Sequence, residues 1–161
     1  MEITKATKQM LLQIEEVYAR AREFMAQTGN PNQWGQSYPS EDVILEDIAS
    51  GQLYVVMEDG KVVGVFFFTM ESDPDYERIE DGAWKNDLSH GVIHRIASSG
   101  TVKGVFPAAL SYCKEQINNI RMDTHPDNKV MQHVLTKNGF AYCGIVYVRG
   151  DRKRLAYQFV G

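Results

Sequence analysis

Two cysteines, Cys113 and Cys143, are all that the 161 residues contain. That is too few for a disulfide scaffold, and their positions on a helical and a strand-like segment predict reduced core thiols. Nor is there a continuous apolar run near the ~20 residues that a membrane-spanning helix needs. Basic residues are not in excess: 17 Lys and Arg face 21 Asp and Glu, for a net charge of −4. A nucleic-acid surface needs clustered positive charge, so that class of partner is not expected. The first residues carry Glu2 and alternating polar side chains rather than a basic segment followed by an apolar one. A signal peptide is therefore not expected, and the cytoplasm is the expected compartment. Repeats and low-complexity tracts are also missing.

What is present is the composition of a globular chain, 43% hydrophobic and 24% charged. Its length suits one domain over residues 1–161. Met1 to Ala6 reads as a strand. Thr7 is a possible cap for a helix over Lys8 to Thr28, which Gly29-Asn30-Pro31 stops. A polar, aromatic loop with Trp34 and Tyr38 leads to a second helix, capped by Ser40 and closed at Gly51. Leu53–Met57 and Lys61–Met70 are strands around an Asp59-Gly60 hairpin turn. The near-continuous apolar run Val62 to Phe68 predicts a central strand. Glu71 to Leu88 is a long acidic loop, of a length that is often functional.

The most informative stretch runs from His90 to Asn119. Val92 to Ala97 is an apolar, partly β-branched run with strand character. Ser98 to Thr101 are turn-forming, and Gly104 opens a helix with Pro107 in its first turn. A strand, a tight loop and a helix N-terminus aim several backbone N–H groups at one place, which suits phosphate. With Ile120–Thr124 as the next strand, the unit forms a parallel βαβ crossover. A helix follows from Asn128, ending at Gly139. Phe140–Val148 and Arg154–Val160 close the chain as a hairpin around Gly150-Asp151.

The loop Thr101-Val102-Lys103-Gly104-Val105-Phe106 resembles the Gln/Arg-x-x-Gly-x-Gly/Ala loop of the GCN5-related N-acetyltransferases (the GNAT family). It keeps the central glycine and departs at Thr101 and Phe106. A second family pattern, Asn-x-x-Ala-x-x-Leu-Tyr-Glu-Lys-x-Gly-Phe, is matched at Asn128, Lys137, Gly139 and Phe140. The order of elements resembles that family over nearly the whole chain. The resemblance implies an acyl-CoA N-acyltransferase fold of the α/β (α+β) type. Its sheet would be mixed, mostly antiparallel and of six to seven strands, with helices on both faces. It also implies acetyl transfer from acetyl-CoA, as co-substrate, to a small-molecule or peptide amine, by a monomer or homodimer.

On the same basis the pantetheine arm of the cofactor lies along His94, Arg95 and Ile96, with the Ile96 N–H donating to the thioester oxygen. Residues Thr101, Val102, Lys103, Gly104, Val105 and Phe106 would wrap the pyrophosphate. Asn128 is either a cofactor contact, a helix cap, or both. For the base, His90 leads, with His94 as a second choice on the same face of a regular strand. Glu80 and Asp81 are rivals acting through water. Trp34, Glu80 and Trp84 are the expected acceptor contacts, with lid packing as the other reading of the two tryptophans, and the acidic residues either attract a cationic amine or form a solvated loop. Arg149, Arg152, Lys153 and Arg154 form a basic hairpin tip, either a solvated turn or a contact for the nucleotide 3′-phosphate. The family's acid, a tyrosine, is Leu135 here, so Tyr142 and Tyr147 are either its substitutes or buried tyrosines of the sheet, or water protonates the thiolate.

A metal is not expected. His90 and His94 would lie about 13 Å apart on a strand, far beyond the reach of one ion. A non-catalytic acyl-CoA sensor is the competing reading, favoured by Phe106 and Leu135. A P-loop is disfavoured, because Lys103-Gly104 lacks its Ser/Thr and spacing.

Overall fold

The computed structural model describes residues 1–161. The strands are β1 (Glu2–Lys5), β2 (Leu53–Glu58), β3 (Lys61–Thr69), β4 (Gly91–Ser98), β5 (Asn119–Thr124), β6 (Ala141–Val148) and β7 (Arg152–Val160). They form one seven-stranded sheet in the order β1-β2-β3-β4-β5-β7-β6. Every neighbouring pair is antiparallel except β4–β5. The helices are α1 (Leu11–Gln27), α2 (Glu41–Ala49), α3 (Val105–Lys114) and α4 (Lys129–Lys137). None is long and apolar enough to cross a membrane.

The sheet is buried by three apolar clusters. Ile14, Val17 and Tyr18 of α1 and Ile44 of α2 cover Leu53, Val55, Val65 and Ala97. Val105, Ala109 and Cys113 of α3 and Leu135 of α4 cover Val56, Phe66, Ile93 and Ile120. The third cluster joins Tyr76 of the acidic loop to Val92, Cys143, Val146 and Ala156. The long loop is therefore a lid over the C-terminal half of the sheet. A single bridge between Glu80 and Ile145 and the Trp84 indole N–H on the Tyr76 carbonyl hold it there.

Local signals explain most boundaries. Asp59 and Gly60 both have positive φ, as a two-residue hairpin turn requires. Ser40 accepts from the Val43 N–H and caps α2. Two expectations need correction. Thr7 makes no side-chain cap, and the first helix begins with a 3₁₀ turn over Lys8–Met10. β7 begins at Arg152, two residues before the expected Arg154, while the turn, Arg149-Gly150-Asp151, falls where it was expected. In the sheet β7 inserts between β5 and β6, an order no local signal announces.

Two irregularities position the site. The β4–β5 pair is in register only at Gly91↔Ile120 and Val92↔Arg121. Beyond Val92 no strand lies on that side of β4, so its backbone edge opens onto a cleft. On the other side, His94 pairs with Phe67 and Ala97 with Val65, so Arg95 and Ile96 together face Phe66 alone. This is a β-bulge, and Arg95 takes φ +50° to make it. The bulge puts both His94 and Arg95 against the Phe67 ring, while Ile96 packs toward α3 and α4.

Candidate active site

Two cavities, of about 160 and 340 Å³, open along the splayed edge of β4. Together they fall within the roughly 300–1,000 Å³ of small-molecule sites. Met25, Ile96, Asn128 and Met131 line both, so the two meet where β4 bulges and α4 begins.

The larger cavity is mostly apolar. Ala21 and Phe24 of α1, Ile96 to Gly100 of β4 and its loop, Val105 and Phe106 of α3, and Val130 and Val134 of α4 surround it. Gly104 sits at the N-cap of α3 with φ +88°, a left-handed conformation that favours glycine. The first backbone N–H groups of α3 have no helical partners and the dipole adds positive potential there. Phe106 packs edge-on against Phe140 at 6.3 Å and forms part of the wall. Asn128 caps α4 by accepting from the Met131 N–H at 2.9 Å, and its amide donates to Gln33 at 2.9 Å.

The smaller cavity is polar and mixed in charge. His94 Nε2 lies 2.8 Å from Asp73 Oδ2. Burial raises the Asp73 carboxyl, but the His94 hydrogen bond, the Asp75 N–H and the charges of His94 and Arg95 outweigh it and hold the group below its ordinary value. Asp73 is thus ionised at neutral pH and can only accept, so Nε2 carries the hydrogen and Nδ1 is the basic nitrogen. Arg95 makes a two-pronged contact with Asp47 of α2, at 2.8 and 3.0 Å, and its carbonyl accepts from the Tyr18 hydroxyl at 2.8 Å. Tyr76 donates to Asp123 Oδ2. Burial first, then Asp123, pushes that phenol well above its usual range, so it stays protonated. Arg154 is buried, with its Nε 3.8 Å from Asp123 Oδ1. Desolvation lowers its pKa, and Arg149 and Arg152 add to the effect against Asp123.

Of the residues singled out from the sequence, Trp34, His94, Arg95, Ile96 and Asn128 converge on the cleft. Val105 and Phe106 line the larger cavity, while Thr101, Val102 and Lys103 lie in the loop before them. His90, Glu80 and Trp84 do not line either cavity. His90 precedes β4, with Nδ1 3.0 Å from the Leu88 carbonyl, at the paired end of the strand. Six residues of strand put it on the order of 15–20 Å from Ile96. Glu80 pairs with Arg78 at 2.7 Å, and Trp84 lies under the Arg121 guanidinium and against Tyr76. Of the acidic loop residues only Asp73 and Asp75 reach the cleft. Leu135 is fully buried in the core, and Tyr142 and Tyr147 are neither buried nor near the cleft: they stand exposed on β6, away from both cavities. The basic tip is neither wholly solvated nor beside the larger cavity: Arg149 and Arg154 line the polar one. Sequence reading also missed Asp47, Tyr76, Asp123 and Thr124, which no spacing signal marks. No group of three or more His, Cys, Asp or Glu side chains could hold a metal ion.

A mixed sheet splayed at its one parallel pair, with a strand–loop–helix beside the opening, is the architecture of the acyl-CoA N-acyltransferases. The solved structures agree. An acetyltransferase of the GNAT family from Streptococcus agalactiae is 33% identical and superposes with a TM-score of 0.87, over 99% of this chain and 95% of that one. The chain belongs to the GNAT acetyltransferase family. A GNAT-family acetyltransferase from Listeria monocytogenes shares the fold at 18% identity and TM-score 0.68, over 98% of this chain and 92% of that one. So does a GNAT-like decarboxylase in complex with isobutyryl-CoA, at 12% identity and TM-score 0.67, over 99% of each chain. No protein-family model and no curated protein sequence matches the chain.

Proposed function

We propose that this protein is an N-acetyltransferase that moves the acetyl group of acetyl-CoA to a primary amine of a small molecule or peptide. The observation that carries this is the meeting of an apolar cavity with a charged one at Ile96, Asn128 and the open edge of β4. The apolar cavity and the unpaired backbone suit a pantetheine arm along His94, Arg95 and Ile96. The Ser98–Gly104 loop and the N-terminus of α3 suit the pyrophosphate. An N–H at Ile96 would meet the oxyanion that develops on the thioester carbon.

The amine nitrogen attacks that carbon and passes a proton to Nδ1 of His94. The tetrahedral species then expels the CoA thiolate. Asp73 acts as a positioning residue that fixes the His94 tautomer. With Leu135 in the core, α4 offers no acid. A thiol of ordinary pKa, about 8.5, leaves as the thiolate and takes its proton from water.

Titration calorimetry with acetyl-CoA, followed by an amine panel monitored for free thiol, tests the proposal. His94→Ala is expected to lower kcat by about 10²–10⁴-fold, the range for a general base. Unchanged turnover would remove His94 from the mechanism.

A further inference from the structure

The charge pattern of the polar cavity does not suit an acceptor that carries only an ammonium group. Asp73 and Asp75 of the acidic loop and Asp123 of β5 line the cavity, but so do Arg149 and Arg154 of the last hairpin. Arg95 is neutralised outside it by Asp47. The Arg149 guanidinium lies over the Tyr38 ring at 4.5 Å and forms no ion pair with a carboxylate; Asp75 Oδ2 accepts only from the Arg149 backbone N–H, at 3.4 Å. Arg154 is only 4% exposed. Its single carboxylate neighbour, at 3.8 Å, already accepts from Tyr76, and its terminal nitrogens donate to the Lys153 and Gln33 carbonyls. A buried cation held so loosely has capacity left for an anion. A second, independent feature lies beside it. Thr124, at the end of β5, is fully buried, lines the cavity, and its hydroxyl has no hydrogen-bond partner. An unpartnered buried hydroxyl costs stability, so a ligand that satisfies it is the physical reason to keep one.

We infer that the acceptor amine carries an anionic group near its nitrogen, a carboxylate or a phosphate. The anion lies against Arg149, Arg154 and Thr124, and the ammonium toward Asp73, Asp75 and His94. This rests on the transferase reading above and narrows its substrate to zwitterionic amines. A guanidinium fork accepts either anion, so the panel must separate them.

The test compares acceptors with twins that lack the anion, with acetyl-CoA as donor: L-alanine against ethylamine, L-histidine against histamine, and phosphoethanolamine against ethanolamine. A charge-assisted hydrogen bond predicts a kcat/KM preference of about 10- to 100-fold for the anionic member of at least one pair. Arg149→Gln should shrink that preference, chiefly through KM. Thr124→Val should raise KM for the anionic acceptor while raising the Tm of the free protein. A merely structural threonine would move Tm and leave KM alone. No anion preference in any pair, or a preference intact in both variants, overturns the inference. Binding of acetyl-CoA is measured in the same samples. Binding without anion preference refutes only this inference, whereas no binding refutes the transferase reading with it.

Discussion

Removing the Asp47 carboxylate, remote from the proposed chemistry, should damage both stability and catalysis. Arg95 sits at φ +50°, in a region that costs a non-glycine residue roughly 1–2 kcal/mol. Something must hold it there. The contacts are two hydrogen bonds to Asp47 at 2.8 and 3.0 Å, the Tyr18 hydroxyl on the Arg95 carbonyl at 2.8 Å, and the Phe67 ring at 4.7 Å from the guanidinium. The Arg95 and Asp47 side chains are 18% and 11% exposed. Breaking a fully buried pair costs about 3–5 kcal/mol, and the partial exposure here scales that to about 2–3 kcal/mol for Asp47→Ala. Asp47→Asn keeps one acceptor and should cost about half as much. Because Ile96, the proposed oxyanion donor, lies in the bulge, kcat should also fall, by up to about 10²-fold if the donor moves by 1 Å. Urea unfolding and steady-state thiol release measure the two effects. The double variant Asp47→Ala/Arg95→Ala should be less destabilised than the sum of the singles, with a coupling of about 1–3 kcal/mol. Additive effects, or an Asp47→Ala loss below about 0.5 kcal/mol, would show that the pair does not hold the bulge.

Three further outcomes follow from the same geometry. In Gly64→Ala the new Cβ would lie 2.5 Å from Val105 Cγ1 and 3.3 Å from the Ala97 carbonyl, so overpacking should cost about 1–3 kcal/mol; because Val105 is the first residue of α3, KM for acetyl-CoA should rise while the acceptor KM holds. Asp73 is held below its ordinary value, so its stabilising contribution is present above the unfolded value near 4 and is lost as pH falls below it. Urea midpoints at pH 6 and pH 3, about two units above and one below that value, should show the gap between wild type and Asp73→Asn closing in acid; a gap that widens would reverse the assignment. Burial pushes the Cys113 thiol up to about 12 and raises Cys143 as well, so a disulfide reagent at pH 8 should label neither in the native protein and both after unfolding.

The order of elements was legible because turn chemistry marks it. Asp59-Gly60, Gly104 and Gly139 each take positive φ where the chain was expected to turn or a helix to begin or end. The family motifs lie on elements whose roles depend on backbone, and Ile96 and Asn128 accordingly fall at the junction of the cavities. What stayed hidden depends on pairing between distant segments. A regular strand places His90 and His94 on one face, but β4 starts at Gly91, where it still pairs with β5, so His90 lies before the strand at its paired end and only His94 lines the cleft. For Trp84 a substrate contact and a lid-packing role look alike in sequence, and long-range packing against Tyr76 decides for the lid. Arg154 looked like part of a solvated turn, because nothing local shows that β7 runs between β5 and β6 and carries it inward.

The most direct test of the central claim is calorimetric titration of the protein with acetyl-CoA, with ATP as the phosphate control. One saturable site for acetyl-CoA and none for ATP is the predicted result, with affinity weakened in Gly64→Ala. Absence of acetyl-CoA binding, or equal binding of ATP, would contradict the account of the β4 cleft as an acyl-CoA site.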